Sequence, residues 1–125
     1  MNQQLQALRT AIPGCNLVAF GDLDARLLFR ANHDRTIHRE NLDKLCLEAV
    51  TCFEILKAIQ DGTPASKGED VPEEVIILSP GEVKVFVISE VNKADFICLV
   101  CEPSCDSISA AALARQHLNR LSKIQ

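Results

Sequence analysis

Three short apolar runs in the second half of the chain constrain the fold more than any other feature. They predict strands over 74–78, 83–89 and 95–101. Consecutive positions in each run are apolar, although successive side chains of a strand point to opposite faces of a sheet. Such strands are expected to be covered on both faces. Pro80-Gly81 is typical of a type II turn between the first two strands.

The remaining elements complete an α+β pattern. Helices are predicted over 3–11, 38–60 and 106–123, and a first hairpin is predicted from strands at 16–20 and 26–31. Asp34 or Thr36 is a candidate N-cap for the second helix, and Ser104 or Asp106 for the third. The order α-β-β-α-β-β-β-α predicts one domain over 1–125. It contains a mostly antiparallel five-stranded sheet with helices on both faces.

The helix predicted over 38–60 has an unusually wide apolar surface. Half of its circumference is covered by Leu42, Leu45, Cys46, Ala49, Val50, Cys52, Phe53, Leu56 and Ile59. Leu47 and Ile55 fall outside that half. A helix packed on one sheet needs an apolar stripe only about 100° wide. A second surface is therefore expected on this helix. It is either a partner subunit, or the chain's own first helix or the polar loop at 63–72.

Composition excludes several classes of function. The chain has 125 residues and a formal net charge of -4, and its Lys and Arg residues are scattered, which argues against nucleic-acid binding. The apolar runs are too short for membrane insertion, and no export signal is visible, so a cytoplasmic location is expected. The five glycines are isolated, and no phosphate-binding or hydrolase motif is present. We expect no enzymatic activity and no cofactor.

The cysteines leave one chemical alternative open. Cys98, Cys101 and Cys105 lie close in sequence, and thiolates at such spacing hold metals or act as redox groups. A fourth ligand is lacking, however, and Cys98 and Cys101 are expected on opposite faces of their strand. Buried packing is the favoured interpretation. In the first hairpin, Asp22 and Asp24 are interpreted as turn residues that bond their own backbone, and not as a cation site.

The order of elements, the long central helix and the Pro80-Gly81 hairpin resemble the roadblock / dynein light chain family. The resemblance implies a non-enzymatic scaffold or regulator that forms a homodimer, or a dimer with a paralogous subunit. It also implies binding of a small Ras-like GTPase or a similar signalling or motor-complex protein. The dimer contacts would come from the central helix and the next strand. The candidate contact residues are Cys46, Leu47, Val50, Phe53, Glu54, Lys57 and Ile76. Cys46, Val50 and Phe53 are expected nearer the middle of the helix interface, and Leu47, Glu54, Ile55 and Lys57 toward its rim.

A small-ligand-sensing domain of similar sandwich shape remains an alternative, as does a thiol- or metal-dependent protein that uses the three cysteines. The ligand sensor would need an internal pocket with convergent polar groups. The sequence contains no Trp and no Tyr with which to build an aromatic cage.

Overall fold

The computed structural model describes residues 2–34, 38–61 and 74–124, and within them it has three helices and five strands. The elements are α1 (Asn2–Ala11), β1 (Cys15–Asp22), β2 (Leu27–His33), α2 (Arg39–Asp61), β3 (Glu74–Ser79), β4 (Glu82–Ile88), β5 (Asp95–Cys101) and α3 (Ser107–Ile124). Their order is the predicted one. The predicted loop at 63–72 lies outside the described residues.

The five strands form one sheet in the order β2-β1-β5-β4-β3, and every neighbouring pair is antiparallel. The first and the last strands along the chain, β1 and β5, lie side by side within the sheet. The predicted antiparallel sheet is thus confirmed. Strands β2 and β3 are its two edges.

Helices cover both faces of this sheet, as predicted. On one face α1 and α3 pack against β1, β4 and β5 through Leu5, Leu8, Ala114 and Leu118. On the other face α2 packs against the same strands through side chains such as Phe53. Three strands are therefore buried on both sides, which explains why their sequences are apolar at consecutive positions.

The two hairpins differ from each other in their turns. In the first, the Asp22 Oδ1 accepts a hydrogen bond of 2.9 Å from the Ala25 amide, the predicted role for a turn aspartate. Arg26 then takes a left-handed backbone conformation with φ of 56°. In the second, Gly81 does not have the positive φ that a type II turn requires, so that predicted turn type is wrong.

The predicted N-cap residues can be compared with the structure at the starts of α2 and α3. Asp106 caps α3, because its carboxylate accepts hydrogen bonds from the Ser109 amide at 3.2 Å and the Ser109 hydroxyl at 2.8 Å. At α2 the His38 carbonyl accepts the first helical hydrogen bonds, so Asp34 is not the cap, and Thr36 lies outside the described residues. No helix in the described ranges combines the length and the hydropathy needed to cross a bilayer.

Candidate protein-interaction surface

Helix α2 has one face that belongs to the core of the chain itself. The side chains of Cys46, Val50 and Phe53 are buried against the sheet, together with Leu45 and Ala49. These three candidate contact residues therefore have almost no exposed surface to offer a partner. The expectation that they lie near the middle of an interface must be revised, because the wide apolar arc of the sequence combines two separate faces of the helix.

The opposite face of α2 is exposed and carries several large apolar side chains. At about 100° per residue, five uncharged side chains fall within an arc of about 120°, which also holds polar residues such as Lys44 and Glu48. The five are Leu47, Thr51, Ile55, Ala58 and Ile59, and we call them the α2 stripe. Its three large side chains are exposed by 60% at Leu47, 54% at Ile55 and 61% at Ile59. Three large apolar side chains on one exposed helix face are typical of a contact surface.

The stripe is not covered by the first helix. Helix α1 packs in the core cluster on the other side of the sheet, with Leu5, Leu8 and Ile12 against β1 and α3. This removes one of the two intramolecular explanations for the wide apolar arc. The other explanation, the loop at 63–72, lies outside the described residues.

The charged residues beside the stripe show how it lies relative to the sheet. Glu48 lies 2.8 Å from the Lys84 ammonium on β4. Glu54 lies 3.4 Å from the Arg26 guanidinium in the β1–β2 turn. In projection down the helix, Ile55 and Ile59 lie within about 20° of Glu48, and Leu47 lies within about 20° of Glu54. The stripe therefore extends from the β4 side of the helix to the side of the β1–β2 turn.

Strand β3 is an edge strand with incomplete cover. Val75 and Ile77 are half-buried on the α2 side, and Ile76 is half-buried on the α3 side. Leu78 is 72% exposed. The prediction that this strand is covered on both faces is thus met only in part. Arg115 of α3 lies 3.1 Å from Glu74 at the start of β3, whereas Leu78 near its end is exposed. Among the described strands only β4 pairs with β3, so its outer backbone groups can pair with another strand.

The remaining candidate contact residues lie around this region. Glu54 and Lys57 are exposed on α2, and Glu54 is held by its ion pair with Arg26. Sequence reasoning did not single out Leu78 or Ile59 as contact residues. A signal existed for Leu78, because an apolar residue directly before a turn at the end of an edge strand is hard to cover.

A cleft of about 500 Å³ between the start of α2 and the ends of β4 and β5 bears on the ligand-sensing alternative. Its charged lining residues include Lys84, Glu48 and Glu82. The Lys84 ammonium lies 2.8 Å from Glu48 and 3.4 Å from Glu82, and the hydrogen bond that it donates to Glu48 raises the pKa of Lys84. These groups bond each other. They do not converge on a space that a ligand would fill.

The structure also separates the cysteines of the chemical alternative. Cys98 is buried on the α2 face, whereas Cys101 is buried on the α3 face, as the strand alternation predicts. Cys105 follows Cys101, and the third thiol near them is Cys15 at the start of β1. The alternative that uses Cys98 together with the other two is therefore not supported, and the predicted placement of Cys98 and Cys101 on opposite faces is confirmed. No group of His, Cys, Asp or Glu within the described ranges has the arrangement of a metal site.

The fold of the chain is similar to that of several proteins of known structure. No protein-family model matches the sequence, and no curated protein matches it. The structure is similar to a roadblock/LC7 domain from Streptomyces avermitilis, with a TM-score of 0.75 and 8% identity over 99% of this chain and 96% of that one.

Two further structures are those of MglB proteins. The gliding protein MglB from Thermus thermophilus gives a TM-score of 0.77 at 12% identity, over 98% of this chain and 88% of that one. An MglB with a tetrameric arrangement gives a TM-score of 0.78 at 11% identity, over 98% and 85% of the two chains. The element order, the antiparallel sheet and these likenesses agree: the chain has the roadblock/LC7 fold.

Proposed function

We propose that the chain is a single roadblock-like domain that acts in the cytoplasm as a dimeric, non-enzymatic scaffold or regulator. It binds a small Ras-like GTPase or a similar signalling or motor-complex protein. The observations that carry the proposal are the exposed α2 stripe and the outer edge of β3, with which none of the described strands pairs. Together they favour a partner that supplies both an apolar surface and a strand.

A second copy of the chain satisfies both needs. In a dimer with two-fold symmetry the same patch serves both subunits, so stripe packs on stripe and β3 pairs with β3 of the partner in one antiparallel ladder. Burying Leu47, Ile55, Ile59 and Leu78 in this way removes four large side chains from water. The full burial of one such side chain is worth about 1.5–3 kcal/mol. The tetrameric arrangement named for one similar MglB is an example of self-association in a protein of this fold.

The candidate contact residues keep distinct roles in this proposal. Leu47 lies within the interface, Ile76 lies on the pairing strand, and Glu54 and Lys57 lie at its rim. Cys46, Val50 and Phe53 support the helix from behind, because they fix its distance from the sheet. Rim charges affect the association rate and specificity more than the affinity.

The GTPase partner is inferred from the fold and from the resemblance of the sequence to the roadblock family. A dimer presents one continuous sheet and a paired helix layer, which is a broad rigid platform on which a partner's switch segments can be ordered. The charged residues of the cleft are paired with each other, which favours a binding role over a chemical one.

The dimer is tested by placing a charge within the α2 stripe. Ile55→Lys is expected to produce a monomer in sedimentation equilibrium, since a dimer would bury an unpaired ammonium. Ile108→Lys is the matched control, because Ile108 is 78% exposed on α3 at the other face of the sheet. A dimer that persists in Ile55→Lys, or is lost equally in Ile108→Lys, would contradict the proposed interface.

The partner is tested separately with purified Ras-like GTPases from the same organism, each loaded with GDP or with a non-hydrolysable GTP analogue. We expect one of them to bind in a nucleotide-dependent manner, as measured by calorimetry. Absence of binding by the whole set in both nucleotide states would remove the GTPase from the proposal. It would leave the dimer untouched.

A further inference from the structure

Three thiols meet at one end of the sheet, on the face that carries α1 and α3. Cys15 and Cys101 are directly opposite each other in the β1–β5 ladder. Cys105 packs against the core cluster that contains both of them, and the neighbouring thiols of Cys15 and Cys105 both raise the pKa of Cys101. A tight turn brings Cys105 back towards Cys101, since the Cys105 amide donates to the Glu102 carbonyl at 3.0 Å. Cys101 is thus the central thiol of the three.

The three thiols differ in access to solvent. Cys101 is fully buried and Cys15 is 7% exposed, whereas Cys105 is half-buried. Cys105 also lines a depression of about 410 Å³ between the β5–α3 turn and the start of α3, together with Gly14 and Ala110. A small reagent therefore reaches Cys105 first, and the other two thiols lie behind it.

We propose that this cluster is a site of reversible oxidation, at which a hydroperoxide converts Cys105 and Cys101 into a disulfide. The inference is independent of the proposed dimer, because the cluster lies on the face of the sheet opposite to α2.

The chemistry balances in two steps. In the first, the Cys105 thiolate attacks one oxygen of hydrogen peroxide, the O–O bond breaks, and a sulfenic acid and hydroxide result. In the second, the Cys101 sulfur attacks the Cys105 sulfur and the S–O bond breaks. The Cys101 proton passes to the departing oxygen, which leaves as water. Two thiols lose two electrons to the peroxide, which ends as water after protonation. A thiol reductant such as dithiothreitol reverses the reaction by exchange.

The electrostatics of the cluster fit these roles. The Cys15 thiol and burial raise the pKa of Cys101 far above its usual range, so Cys101 keeps its proton until it attacks Cys105. The Cys15 thiol donates a hydrogen bond to the Leu17 carbonyl at 3.4 Å. Burial raises the pKa of Cys105, so the first step draws on a small thiolate fraction and is slow at neutral pH.

The other three cysteines provide an internal comparison. Cys98 is fully buried on the α2 face, and Cys46 is buried beside it. Cys52 lies on that same face and is half-buried, as Cys105 is, but it is not one of the three clustered thiols. Cys52→Ser is therefore the matched control for Cys105→Ser.

Peptide mapping after peroxide treatment tests the pairing. Reduced protein is exposed to hydrogen peroxide, unfolded, labelled with N-ethylmaleimide and cut with trypsin. Cleavage after arginine and lysine places Cys15 in peptide 10–26, and Cys98, Cys101 and Cys105 together in peptide 94–115. We expect peptide 94–115 to lose two hydrogens and to carry a single label, on Cys98. Dithiothreitol is expected to restore three labels.

Several results would overturn the proposal. They are three labels retained on peptide 94–115, a covalent link between the two peptides, or addition of two or three oxygen atoms to Cys105 without a disulfide. Cys105→Ser must abolish the disulfide, and Cys52→Ser must leave it unchanged.

Discussion

Gly21 occupies a position where the structure leaves no room for a side chain. It lies in β1 at an irregularity in the pairing with β2, and it is directly opposite Phe96 of β5. A Cβ atom added there would lie 2.5 Å from the Leu27 carbonyl oxygen, 2.8 Å from Leu28 Cδ2 and 2.9 Å from Phe96 Cε1. The first of these atoms belongs to the backbone of the neighbouring strand and cannot rotate away.

Gly21→Ala is therefore expected to destabilise the fold. Insertion of one methyl group into a packed core costs typically about 1–3 kcal/mol. We expect the upper end, about 3 kcal/mol, because three atoms from two strands must shift together and one of them is a carbonyl oxygen. A loss of that size is a large part of the stability of an ordinary domain, which is about 5–15 kcal/mol.

Urea unfolding of the two glycine variants measures this cost. Gly81→Ala is the matched control, since no atom lies within 4 Å of its added Cβ and its φ is not positive. That variant is expected to be unchanged or stabilised by up to about 1 kcal/mol, because alanine restricts the unfolded chain. Equal free energies of unfolding for Gly21→Ala and Gly81→Ala would refute the reasoning from the close approach at Gly21.

Three further predictions concern polar contacts that anchor the helices. Lys84→Met is expected to cost about 1 kcal/mol at pH 7 in urea unfolding. The folded pKa of Lys84 is raised above 10.5, so the deficit should persist at lower pH and shrink only as pH rises through that raised value. Asp106→Ala is expected to lower the melting temperature, whereas Asp106→Asn should retain a cap. The hydrogen bonds from Ser109 lower the folded pKa of Asp106, so the deficit of the alanine variant should vanish as pH falls below 3.8 and through the lowered value. Ser122→Ala removes the hydroxyl that donates to the buried Asp95 carboxylate at 2.8 Å. It is expected to lower the free energy of unfolding in urea by about 1–3 kcal/mol.

The helices, the strands and their arrangement in layers could be predicted from the sequence, because strands that are apolar on both faces must be covered on both sides. The sequence was insufficient for the candidate surface, since a helical wheel counts apolar residues without showing which of them the chain's own sheet covers. Phe53 and Ile55 are both apolar and nearly adjacent, yet the structure buries the first and exposes the second. That difference depends on where α2 sits over the sheet, which is a long-range property.

The thiol cluster shows the same limit more sharply. Nearness in sequence suggested Cys98 as the companion of Cys101, and the alternation of a strand correctly argued against it. The true companion, Cys15, lies far away along the chain and becomes a neighbour only because β1 pairs with β5. Strand order cannot be derived from the hydrophobic pattern of single strands, so no local signal pointed to this residue.

The central claim is that the α2 stripe and the β3 edge hold two copies of the chain together. Light scattering of the purified protein over a range of concentrations tests it most directly. The account predicts a stable mass of twice the chain mass of 13.7 kDa. A mass of one chain that persists to high concentration would contradict it.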